Sequence, residues 1–128
     1  MNRPSAVFAA VTTSCLVAIA IAEELPRRTT QQTIAFPPGY KTVMVIAELD
    51  PGQCTGRHTH PGVESAFVLE GKAVAKVDGK PDLNVAAGQP LLFAPGAVHN
   101  VCNLSGRPFK ALAHYIVDND KPLASPAP

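Results

Sequence analysis

The feature that most constrains this chain is the regular alternation, from Thr33 onward, of short β-rich runs with turn signals. Thr33-Ile34-Ala35-Phe36 stops at Pro37-Pro38-Gly39, and Thr42 to Leu49 (TVMVIAEL) stops at Asp50-Pro51-Gly52. Ser65 to Leu69 and Lys72 to Val77 flank Glu70-Gly71, and Asp78-Gly79 follows as a hairpin-type turn. Leu83 to Ala86, Leu91 to Phe93, Val98 to Leu104 and Phe109 to Val117 complete the set. Between Glu23 and the C-terminus no window keeps a helical period over three turns. About eight such strands at roughly ten-residue spacing predict an all-β sandwich or barrel. The polar stretch from Glu23 to Gln32 reads as a lead-in arm. The tail from Asp118, polar and then rich in proline, is expected to fray.

The first residues have a different character. Arg3 supplies a positive charge, and the apolar run from Ala6 to Ala22 is broken only by Thr12, Thr13 and Ser14. Ala20-Ile21-Ala22 precedes Glu23-Glu24, the small-x-small ending of a secretory signal peptide. An uncleaved anchor or a buried helix is the competing reading, but the run is shorter than the ~20 apolar residues a span needs. Cleavage after Ala22 is therefore expected, giving a periplasmic or secreted product without a membrane anchor. The remaining 106 or so residues suffice for one domain and one core. With Arg3 removed from the 11 Lys and Arg set against 10 Asp and Glu, the charges balance. No basic stripe is present, which argues against nucleic acid as partner.

Cys54 and Cys102 remain after processing. An oxidising compartment permits them to pair. If His99 and Asn103 both point inward, however, Cys102 points outward while Cys54 shares the parity of His58. Two small apolar residues that never meet is thus the favoured reading, with a disulfide kept open because parity across Thr55-Gly56 is unreliable.

The chemistry concentrates between Gly52 and Gly71. His58 and His60 are two apart, so on a strand both imidazoles face the same way. Glu64 shares their parity beyond the Pro61-Gly62 bend, and His99 opens a later strand after Ala94-Pro95-Gly96. Taken singly, a His-x-His pair is often solvated, Glu64 could be a surface charge, and His99 a satisfied core histidine. Jointly they point to a metal, because three of the four histidines in the chain fall in this arrangement. The fourth, His114, is read as a pocket-wall or structural residue.

These residues resemble the cupin motifs. Gly52, five residues, His58-x-His60, three residues, Glu64, six residues and Gly71 match the first. Gly88, then Pro95-Gly96, two residues, His99, three residues and Asn103 match the second, except that Ala94 stands where the family usually has proline. The resemblance covers about Thr42 to Val117. It implies a double-stranded β-helix (jelly-roll) barrel over 41–117, preceded by a signal peptide over 1–22 and an arm with the first strand over 23–40. A flexible Pro-rich tail over 118–128 would follow. It implies His58, His60, Glu64 and His99 as metal ligands, Asn103 as a turn brace, and turn or close-approach roles for Gly52, Gly71, Gly88 and Gly96.

Three imidazoles and a carboxylate suit one divalent transition metal (iron, manganese, nickel, cobalt, copper or zinc) better than calcium or magnesium. The expected function is a metal-dependent oxygenase acting on a small organic molecule, similar to the quercetin dioxygenase-like cupins. Glu64 would then be the catalytic base. Phe67, Val68, Leu91 and Phe93 are candidates for an apolar pocket wall or ordinary core, and Arg57 could pair with a substrate carboxylate or be solvated. A non-catalytic metal- or ligand-binding cupin, or a cupin isomerase or decarboxylase, is the alternative. Unpaired strand edges and the resemblance together suggest a homodimer.

Overall fold

A computed structural model describes residues 25–128; the expected signal peptide over 1–22 lies outside the described residues. The described residues contain ten strands and no helix. One sheet has the order β1-β2-β9-β4-β7, formed by β1 (Arg27–Ile34), β2 (Tyr40–Leu49), β9 (Phe109–Asp118), β4 (Gly62–Glu70) and β7 (Pro90–Phe93). The other has the order β10-β3-β8-β5-β6, from β10 (Ser125–Pro126), β3 (His58–Thr59), β8 (His99–Cys102), β5 (Lys72–Val77) and β6 (Leu83–Ala86). Every pairing is antiparallel.

Period-two alternation sends one side of each sheet inward. Val43, Val45 and Leu49 of β2 meet Ala66 and Val68 of β4 and Phe109, Ala111, Ala113, Tyr115 and Val117 of β9 in one buried core. Ala73 and Ala75 of β5, Val85, Leu91, Phe93 and Val101 close it from the facing elements. Val45, Val68 and Val117 are at most 1% exposed, so each contributes about 1.5–3 kcal/mol by leaving water. Two glycines permit the close approach of the chain around this core. A Cβ on Gly62 would strike the Ile116 carbonyl, and one on Gly71 (φ 78°) would strike that of Pro108.

Three expectations need correction. The polar arm is a strand: Arg27 to Ile34 pairs along β2, with all eight residues exposed, so it shows no apolar alternation. The tail does not fray. Ser125 and Pro126 pair with Thr59 and His58, Ala127 N donates to Arg57 O (3.0 Å), and Leu123 packs on the core. Finally, Cys54 and Cys102 are joined in a disulfide. Cys102 does point away from the His99 side, but residues 53–55 pair antiparallel beside β8 and bring Cys54 directly opposite it on the same face. Thr55 N donates to Val101 O and Asn103 N to Gln53 O, which sets Cys54 opposite Cys102.

Candidate metal centre

Three strands and the bend after β3 deliver the four ligand candidates to one point. His58 on β3 lies directly across from His99 on β8, and Glu64 enters from β4 of the opposite sheet. His60 follows β3 at the bend into Gly62. All four are buried, and one potential ligand atom from each lies within 4.8 Å of the others.

The orientation of the rings is set by the main chain. Nδ1–H of His58 donates to Gly56 O (2.8 Å), that of His60 to Leu123 O (2.6 Å) and that of His99 to Ala97 O (2.9 Å). A carbonyl can only accept, so each ring keeps a proton on Nδ1 and turns Nε2 toward the shared point. Phe93 stacks on His99 at 3.9 Å between centroids, with the planes 10° apart, fixing that ring further.

Glu64 completes the set. Its Oε2 lies 2.9 Å from His60 Nε2 and 3.2 Å from His99 Nε2, while Tyr115 Oη donates to its Oε1 (3.0 Å). With the Nδ1 protons committed to carbonyls, His60 Nε2 is a buried lone pair without a donor. Two such nitrogens aimed at one carboxylate oxygen repel unless a cation sits among them. A proton offsets one contact; a divalent metal satisfies all four groups at once. The residues present therefore fit a metal ion.

Electrostatics favour the ligand forms. Burial pushes the His58 imidazole down to about 4, so it is neutral near pH 7. For Glu64, burial acts to raise the carboxyl, and positive charge shared with His60 and His99 outweighs it and holds it down to about 2; with the Nδ1 protons tied to carbonyls, a metal ion among the Nε2 atoms is what would supply that charge. The Tyr115 hydroxyl is raised, by burial first and then by the Glu64 charge, so it stays a donor.

The cavity at the centre holds about 30 Å³, room for a water or two, within walls of Leu49, Leu91, Phe93, Val101 and Phe109. Of the other residues read from sequence, Leu91 and Phe93 line this cavity, and Val68 is core. Phe67 is a correction, because it faces solvent at 46% exposure. Arg57 is a second one. It is exposed, as the solvated reading had it, but it grips Asp78 through both terminal nitrogens (2.7 and 2.9 Å) and the Pro128 carbonyl through Nε (2.7 Å), so it is not free to pair with a substrate. His114 lies on the outer face of its sheet beside Thr42 and Met44, away from the centre. Asn103, fully buried, donates to Leu49 O and Arg107 O and accepts from Ser105, bracing the turn after β8. Sequence reasoning missed Tyr115, whose only signal was inward parity with Ala111 and Ala113. It also missed the Leu123 carbonyl, for which no side-chain signal exists.

A family model described as the cupin domain matches residues 45–115, more than half of the chain. The chain is a cupin. Among solved structures this cupin resembles an uncharacterised conserved protein with a double-stranded β-helix domain from Klebsiella pneumoniae. That match has a TM-score of 0.67 and 21% identity, over 84% of this chain and 88% of that one. It also resembles the DMSP lyase DddQ from Ruegeria pomeroyi (TM-score 0.69, 20% identity, 80% of this chain and 52% of that one). A recombinant oxalate oxidase in complex with glycolate gives a TM-score of 0.65 at 18% identity, over 79% of this chain and 54% of that one. The cupin chain thus spans about half the length of the last two, and the likeness to all three is one of fold. A sequence search of curated proteins finds no match.

Proposed function

We propose that this cupin is an exported metal-dependent enzyme of the oxygenase type that acts on a small organic substrate. The observation that carries the reading is the meeting of His60 Nε2 and His99 Nε2 on one oxygen of Glu64, with every Nδ1 tied to a carbonyl. His58, His60, Glu64 and His99 would hold the ion. Once bound there, a divalent transition metal supplies Lewis acidity and redox capacity. Among the described residues Glu64 is the only carboxylate lining the cavity, and it is the group to accept a proton from a substrate hydroxyl. Tyr115 steadies Oε1 during that transfer and returns a hydrogen bond to whichever charge the carboxylate carries. The apolar walls exclude water and strengthen these contacts.

The small cavity argues for a compact substrate, or for one end of a larger molecule, rather than a buried flavonol. The structural neighbours include proteins named as an oxalate oxidase and as a DMSP lyase, so the fold alone selects no reaction. The Cys54–Cys102 disulfide supports export, since such bonds persist in oxidising compartments.

A homodimer is part of the proposal. The outer face of the β1-containing sheet exposes Phe67, Leu92 and Ile116, an apolar patch that a second copy would cover. Light scattering should give twice the chain mass, and Phe67→Glu should return it to one; a wild-type monomer at high concentration would refute the pairing.

The central test is metal analysis of protein purified from an oxidising compartment. About one transition metal per chain is expected, with loss in His58→Ala and His99→Ala; unchanged content in both variants would sink the site. Oxygen uptake by the loaded protein, screened over small hydroxy acids, diketones and phenols, then separates catalyst from carrier. No uptake with any metal would make it a binding protein.

A further inference from the structure

The cavity beside the metal centre has one charged wall residue besides Glu64, and it is not the arginine that the sequence singled out. Arg57 is consumed by Asp78 and Pro128. Arg28, on the edge strand β1, lines the cavity together with Thr55, His58, Glu64 and Tyr115. Its neighbour Arg27 has the opposite parity and reaches Glu48 (3.6 Å) and Asp50 (3.8 Å) on the outer face. Arg28 sits across from Ala47, and Ala47 across from Ala111, so a row of small side chains leaves it room to lean over the opening. Among the described residues the Arg28 side chain has no hydrogen-bond or ion-pair partner, and it is exposed. Its charge is close enough to be felt at both His58 and Tyr115.

We propose that Arg28 is the docking point for the carboxylate of a small anionic substrate whose other end reaches the His58–His60–Glu64–His99 centre. This rests on the metal-centre reading above and adds the substrate class to it. The single acid in the cavity, Glu64, is already engaged by Tyr115 and two imidazoles, so the exposed guanidinium keeps its charge unmatched at the rim of the mouth. A guanidinium offers paired N–H donors in the plane that a carboxylate accepts. Arg28 stands exposed at the edge of a cavity that Leu49, Leu91 and Phe109 line with apolar surface. The narrow interior admits only one end of the molecule, and that leaves the anionic end at the mouth, where Arg28 is.

The experiment measures binding, not turnover. Calorimetry with wild type, Arg28→Ala and Arg28→Lys uses straight-chain mono- and dicarboxylates of increasing length, each beside its primary amide. Metal content is determined for each protein first. Wild type should prefer each well-fitting carboxylate to its amide by about tenfold or more. Arg28→Ala should lose that preference with its metal content unchanged, Arg28→Lys should keep part of it, and the amides should bind all three alike. Equal carboxylate affinities in wild type and Arg28→Ala would put the anion on the metal alone and overturn the proposal. If no protein holds metal, the metal reading fails separately. The same titrations on the metal-free chain then decide Arg28: carboxylate preference lost in Arg28→Ala supports it, and no difference overturns it.

Discussion

Glu64 is the residue on which the centre turns, because its two oxygens have different partners. Oε2 faces the imidazoles and Oε1 faces Tyr115, so the hydroxyl decides which oxygen is free to bind a metal. Tyr115→Phe removes that one hydrogen bond while keeping the ring against His60. Metal should still bind, with affinity lower by about 10- to 100-fold in a chelator competition, the usual cost of losing a supporting hydrogen bond. Affinity equal to wild type would leave Tyr115 as packing. The ligand candidates were legible in sequence through the His-x-His spacing and the cupin-like pattern that adds Glu64 and His99. Tyr115 was not, because an inward tyrosine on a strand looks like any core aromatic until the strand opposite is known.

At the scale of elements, the C-terminal segment is the surprise. Strand β10 is only two residues long, yet it lies on β3 beside the ligand candidate His58, and the Leu123 carbonyl four residues before Ala127 orients His60. Arg57 clamps this segment to Asp78, with the charge of each holding the other in its ionised form. Removing residues 122–128 should therefore weaken metal binding by about tenfold or more, although no ligand is deleted. Chelator competition on the truncated chain checks this, and Arg57→Ala should produce a smaller effect in the same direction. Unaltered affinity after truncation would show that His60 needs no tether. The tail and β1 were misread for one reason. Both are polar segments whose strand character comes from a neighbour's backbone rather than from their own apolar periodicity.

Across the whole molecule the disulfide ties the loop before β3 to β8, and so ties together the strands that carry His58 and His99. The bond spans 48 residues, and the chain-entropy account gives about 4 kcal/mol for a closure of that length. Urea unfolding with and without reductant should show a loss of about 2–4 kcal/mol, and Cys54→Ser with Cys102→Ser should match the reduced protein. Equal midpoints would mean that the bond adds nothing to stability. By itself the amino-acid sequence determined the all-β class, most strand positions and the four metal-ligand candidates. Each of those is written in local periodicity or in fixed spacing along one chain. Only the tertiary structure decided that Cys54 meets Cys102, that the tail holds His60, that Tyr115 braces Glu64 and that Arg28, not Arg57, faces the cavity. Those facts depend on which strands become neighbours and on which side of a turn a side chain emerges, and parity cannot be carried through Thr55-Gly56 or across a sheet whose order is not yet known.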